Sequence, residues 1–224
     1  MRWLYNFFIS SIGKKVTMAL TGLFLISFLV VHGAINGMIF LNDNGVTFTH
    51  WAHFMATNPI IRTLEIVLIV GFLLHIIQGL LLWNNNRKAR GTVRYEVVAQ
   101  PKRSTWYSRS MTLLGTLILL FLIIHTSNFW IPNRKHQFIT GEELPLYQMM
   151  LGTFQNPVEV IIYLAGCFSL FWHLLHGFKT SFQSLGLSHP KYGRFIVAAG
   201  TTFAVLISLL FASMPVSIYF KLIH

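Results

Sequence analysis

Apolar and polar residues are sorted into long blocks along this chain. Five runs without Asp, Glu, Lys or Arg occupy residues 16–42, 66–83, 110–133, 160–178 and 195–220. A hydrocarbon core of about 30 Å is crossed by roughly 20 helical residues rising about 1.5 Å each. With no water there to satisfy the backbone, each run has to be a helix. The pattern predicts an all-α integral membrane bundle of five transmembrane helices, at about 16–41, 61–83, 109–131, 158–180 and 194–220, forming a single domain over residues 1–224. Between them, residues 41–61, with His50, Trp51 and His53, are expected to form a short interfacial helix, and residues 132–157 to fold onto the membrane surface. Residues 1–15 mix aromatic with basic side chains and are expected to lie along the inner interface.

Composition agrees with lipid as the solvent: 54% of the residues are hydrophobic and 10% charged, more apolar surface than a soluble domain of this size buries. The first run is too long for a signal-peptide core and no small-residue cleavage pattern follows it, so it is read as a retained helix.

A net charge of +11 raises the possibility of a nucleic-acid partner, and the placement of the charges argues against one. Arg2, Lys14 and Lys15 precede the first run. Arg87, Lys88, Arg90, Arg94, Lys102, Arg103 and Arg109 separate the second from the third, and Lys179, Lys191 and Arg194 separate the fourth from the fifth. These alternate segments share one side of a membrane and hold 13 of the 17 basic residues with a single acid, Glu96. The positive-inside rule makes that side, with the N-terminus, cytoplasmic. Anionic lipid facing basic loops accounts for the charge. Cys167 is the only cysteine, which excludes an intrachain disulfide and a c-type haem attachment motif.

Four of the runs contain histidine: His32, His75, His125, and the pair His173 and His176. His32 and His125 fall late in outward-running helices and His75 and His173 late in inward-running ones. They are therefore expected to pair at two depths, His32 with His125 and His75 with His173. Gly79 and Gly177 follow His75 and His173 by four residues, on nearly the same helical face, where a missing side chain leaves room for a flat macrocycle. Two pairs suffice for two bis-histidine haems, in which both axial positions of iron are filled. A lone intramembrane histidine is a packing or hydrogen-bonding residue more often than a ligand, and proton relays also use buried histidines. Transport sites more often place carboxylates at mid-depth, whereas here the acids sit at the ends of the runs. Gly33 and Gly37 form a GxxxG spacing beside His32, which marks either close helix contact or space for a cofactor.

Several segments together resemble a known family. Ser10-Ser-Ile-Gly-Lys-Lys15 leads to Met18-Ala-Leu-Thr-Gly22; the four helix histidines follow. His173-Leu-Leu-His-Gly177 then precedes Phe182-Gln-Ser-Leu-Gly186 and His189-Pro-Lys-Tyr192. The set is similar to the five-helix, di-haem cytochrome b membrane anchor of succinate:quinone oxidoreductase and quinol:fumarate reductase, over nearly the whole chain. The resemblance implies two b haems, with His32 and His125 ligating the outer one and His75 and His173 the inner one. His176 is then a neighbouring group, a partner for a haem propionate or the alternative ligand. It also implies an FAD-containing flavoprotein and an iron–sulfur subunit on the cytoplasmic face of a bacterial membrane, with menaquinone or another quinone as the lipid-soluble substrate. The chain is expected to be non-catalytic alone. For the quinone, Glu65 is the first candidate proton carrier and His53 and Arg62 are weaker ones; an ordinary ion pair of Glu65 with Arg62 is the plain alternative. Two contrasting functions are a di-haem anchor of another respiratory reductase and a haem-free membrane transporter.

Overall fold

The computed structural model describes residues 7, 10–90, 106–187 and 189–223. Most of the N-terminal interfacial segment, the basic stretch 91–105 and the terminal His224 lie outside the described residues. Nine α-helices are described: α1 (Ser11–Gly37), α2 (Val46–Thr57), α3 (Pro59–Arg90), α4 (Trp106–Arg109), α5 (Met111–His125), α6 (Ile131–Thr140), α7 (Leu146–Thr153), α8 (Pro157–Ser184) and α9 (Pro190–Tyr219). A 3-10 turn (Met38–Leu41) extends α1, and a π-helical turn (Thr126–Trp130) joins α5 directly to α6. Five stretches are long and apolar enough to cross a membrane: Ser11–Leu41, Pro59–Lys88, Met111–Thr140, Pro157–Ser184 and Pro190–Tyr219. This is the pattern of a multi-pass membrane protein.

The starts of the spans are written in short polar signals. Asn58 accepts from the amides of Ile60 (3.0 Å) and Ile61 (3.3 Å) at the head of α3, and Asn156 from Val158 (3.0 Å) at the head of α8. His189 Nδ1 does the same for Lys191 at 3.1 Å before α9. Each cap is followed at once by proline, whose missing N–H costs nothing in a first turn. Ser10 caps α1 through the amide of Gly13 at 2.9 Å.

The segment 41–61 holds the expected short helix, as α2. In residues 132–157 the helix of the third span runs on through the π turn into α6 and ends at Gly141, whose φ of +79° closes it. Only then does α7 form. Together α2 and α7 cap one end of the bundle: Phe48, Tyr147, Met150 and Phe154 pack with Val160, Tyr163, Met214 and Ile218 from the ends of α8 and α9. Gly45, at φ +76°, lets the chain turn into α2 with the Tyr147 ring so close that an added Cβ would fall 2.4 Å from it.

Helices α1, α3, α5 and α8 form a ring. Neighbours around it are α1 with α3, α1 with α8, and α8 with α5; the α3–α5 side is closed most loosely. Helix α9 lies outside the ring, against α8 and α1, and supplies packing, as Ala204 and Ile207 show by meeting Leu174 of α8 in a second buried cluster. Leu20, Val30, Ile69, Val70, Leu113, Leu120, Leu206 and Leu209 are exposed on the outer surface of the spans, as lipid requires and water would not tolerate over so large an area.

Candidate functional site

The diagonals of the four-helix ring are bridged by histidines. His32 of α1 faces His125 of α5 with ring centres 5.8 Å apart and planes at 87°; His75 of α3 faces His173 of α8 at 6.3 Å and 65°. The two pairs sit at different depths. His75 Nδ1 lies 3.2 Å from Thr21 Oγ1 on α1, and His32 is eleven residues further along the same helix, a rise of roughly 16 Å. A second route agrees: Gly115 of α5 lies beside His173, and His125, ten residues on, is roughly 15 Å higher.

Protein atoms surround each of the four rings on most sides, yet each keeps accessible surface and is only half-buried. The His32–His125 pair has aromatic walls. Phe28 stacks on His32 at 5.2 Å and Phe121 on His125 at 5.6 Å, and Phe211, Phe129 and Tyr163 complete the lining. The His75–His173 pair is lined instead by small residues: a Cβ at Gly22 would come within 3.4 Å of His75 Cε1, and one at Gly115 within 3.7 Å of His173 Cε1. Neither Gly22 nor Gly115 was singled out as a site glycine by spacing within its own helix.

The glycines that spacing does single out have other surroundings. A Cβ at Gly79 would touch Met18 at 3.4 Å, while Gly177 has nothing within 4 Å, so only Gly177 opens onto free space. Gly33 and Gly37 both face α9; a Cβ at Gly33 would fall 2.7 Å from Ile207 Cδ1 and one at Gly37 3.6 Å from Leu210. Between the two meanings of the GxxxG spacing, the structure has close helix contact. His176, one turn beyond His173, meets Tyr107 at 6.3 Å on the side where Trp106 and Tyr107 pack against Trp172.

Comparison with family models, characterised proteins and solved structures returns no match. The chemistry of the site is read from its donors.

Each pair offers two imidazoles, and among the described residues no group of three or more His, Cys, Asp or Glu is placed to hold an ion. Two nitrogens satisfy a metal only if another group fills the remaining positions, which is the role of a macrocycle. Imidazole nitrogen binds metal at about 2 Å, so imidazoles on opposite faces of one ion have ring centres on the order of 6 Å apart; the two pairs measure 5.8 and 6.3 Å. Among the described residues, His125 Nδ1, His173 Nδ1, Gln78 Oε1, Trp172 Nε1 and Ser208 Oγ are buried without a hydrogen-bond partner. The donor set fits two bis-histidine haems.

At the end of the bundle nearer His32 and His125, Glu65 binds four N–H donors: Arg62 Nη1 at 2.7 Å, Trp130 Nε1 at 2.6 Å, and Arg134 Nε and Nη2 at 2.9 and 2.7 Å. The expected pairing with Arg62 is present, and Arg134 and Trp130 turn it into a clasp across the loosely closed α3–α5 side. His53 pairs with Glu143 at 3.1 Å, with 67% of its side chain exposed. Glu65→Ala is expected to leave Arg134 without its carboxylate and to destabilise the bundle by about 1–3 kcal/mol. Thermal unfolding in detergent measures this, and an unchanged midpoint would rule the clasp out.

Proposed function

We propose that this chain is the cytochrome b membrane anchor of a succinate:quinone oxidoreductase, with one b haem held between His32 and His125 and a second between His75 and His173. The observation that supports this most directly is the pair of histidine bridges on the two diagonals of one four-helix ring, separated along it by about 16 Å. That separation is roughly half the hydrocarbon thickness, the spacing required of two one-electron carriers that together cross a membrane. Haem iron with imidazole on both faces has no open position for oxygen and exchanges single electrons with little change of geometry.

The chain's residues bind, orient and shield. His32, His125, His75 and His173 would hold the two haems through their imidazole nitrogens. Phe28, Phe121, Phe129 and Phe211 keep water from the first pair, while Gly22 and Gly115 let the rings of the second approach the backbone of α1 and α5. His176, half-buried beside Tyr107, is placed for a propionate of the inner haem. The basic end, which the positive-inside rule makes cytoplasmic, is the docking side for an iron–sulfur subunit and an FAD-containing flavoprotein. A quinone, menaquinone in the first instance, reacts at the opposite end near His32 and His125. Glu65, Arg62 and His53 lie toward that end. Because Glu65 is occupied by four donors, proton delivery by it requires the Arg134 contact to open. Normal quinone turnover in Glu65→Gln, with haem content unchanged, would leave Glu65 the clasp alone.

A haem assay with a redox titration on the gently purified complex tests the reading. Two b haems per chain at separate potentials, alongside flavin and iron–sulfur signals, are expected. One haem would make one histidine pair structural. Absence of any Soret absorption would overturn the reading in favour of a haem-free transporter.

A further inference from the structure

In each pair one imidazole has a partner for its second nitrogen and the other has none. His75 Nδ1 lies 3.2 Å from Thr21 Oγ1, and His32 Nδ1 lies 3.4 Å from Asn36 Nδ2, whereas Nδ1 of His173 and of His125 is unpartnered. Both partners, Thr21 and Asn36, belong to α1. They differ in what they can do. The Asn36 amide already donates to the His32 carbonyl at 2.8 Å, and its contact with the ring is long. Thr21 is more decisive. Its hydroxyl has one hydrogen, and the Thr17 carbonyl takes it at 2.8 Å, with the Met18 carbonyl at 3.2 Å as the alternative acceptor. The oxygen facing His75 is therefore an acceptor. For the contact to be a hydrogen bond, Nδ1 of His75 has to bear the proton, which leaves the lone pair on Nε2; the Met18 backbone, one turn before Gly22 on the same helix, also hydrogen-bonds the His75 ring. Gly22, the next residue, keeps the ring against the helix: its missing Cβ would sit 3.4 Å from Cε1 and 3.8 Å from Nδ1.

We infer that Thr21 is a positioning residue which fixes the Nδ1–H tautomer and the orientation of His75, so that Nε2 is presented to the inner haem iron. The inference rests on the proposed haem function for its last clause only; the tautomer is a property of the chain itself. A ligand imidazole held this way is more basic and less free to rotate. Loss of the acceptor therefore raises the potential of that haem, by weakening the stabilisation of its oxidised form.

Two measurements separate the parts. In ¹⁵N-histidine NMR of the full chain in detergent, with His75 assigned by its own substitution, the wild type is expected to show the Nδ1–H tautomer. Thr21→Val, of nearly equal volume, is expected to lose it and Thr21→Ser to keep it. An unchanged His75 tautomer in the haem-free Thr21→Val chain overturns the inference, because iron on Nε2 would itself hold the proton on Nδ1. In the purified complex, Thr21→Val is expected to shift the midpoint potential and low-spin signal of one haem, or to release that haem, and Thr21→Ser to restore both. Equal shifts in both haems, or in neither, would overturn the positioning role. A wild type that contains no haem but shows the tautomer switch would remove the proposed function and leave the Thr21–His75 bond standing.

Discussion

Alanine in place of His75 or His173 is expected to abolish one b haem and to spare the other, and alanine in place of His32 or His125 to abolish the second and spare the first. The grouping follows from the diagonals: on the proposed function each iron would take one nitrogen from each member of a pair whose ring centres are 5.8 or 6.3 Å apart, and a site with one protein ligand left would not retain six-coordinate iron. The loss is close to complete at the affected site, and pyridine haemochrome content read against low-temperature α-band spectra measures it. Within a pair, the double variant His75→Ala/His173→Ala is expected to lose no more than either single one. Across pairs, His32→Ala/His75→Ala is expected to lose everything. His176→Ala is expected to keep two haems, since its ring faces Tyr107. Loss of the inner haem in His176→Ala, with retention in His173→Ala, would exchange the roles of the two residues.

The pairing was legible because it needs only the direction of each span. Alternating helices put His32 and His125 late in one direction and His75 and His173 late in the other, so depth follows from position. Span starts are also written locally, in Asn58-Pro59, Asn156-Pro157 and His189-Pro190, one to four residues before the starts expected at about 61, 158 and 194. What a single sequence withholds is what each residue faces. Gly79 and Gly177 have the same spacing from a histidine, yet one meets Met18 and the other open space, because α1 happens to pass beside the first. Glu65 displays Arg62 one turn away, while Arg134, 69 residues distant, is invisible until α3 and α6 are brought together. The third span reads as ending near Asn133 because Arg134 closes its uncharged run; Pro132 would also interrupt an ordinary helix, since it lacks an N–H and its ring crowds the carbonyl four residues back, that of Asn128. The π turn at Thr126–Trp130 includes that carbonyl and widens the helix there, so the helix continues to Thr140. The insertion, immediately after His125, also sets the direction of Trp130 and Arg134 toward Glu65, a placement π turns often have at functional sites.

Gly166→Ala is expected to damage the His32–His125 site from a helix that contributes no histidine to it. Gly166 lies where α8 crosses α5, and a Cβ there would fall 2.6 Å from both Cγ and Cδ2 of Phe121, too close for any side chain. Relief has to come from Phe121. That ring is stacked on His125 at 5.6 Å and 27° and meets Tyr163 edge-on at 5.1 Å and 89°, so it cannot yield without displacing the imidazole behind it. Overpacking of this kind costs about 1–3 kcal/mol, read as a lower unfolding temperature in detergent. The informative part is selectivity. Gly200 makes the same kind of contact at the α8–α9 crossing, where a Cβ would lie 2.6 Å from Phe178 Cδ1, and the Phe178 ring packs on Phe182 and Phe203. Gly200→Ala is therefore expected to cost similar stability with both haem spectra unaltered. Gly166→Ala is expected to shift the spectrum or occupancy of the outer haem alone. If the two variants perturb that haem equally, Phe121 transmits nothing specific to His125, and the aromatic wall is packing rather than support for the ligand.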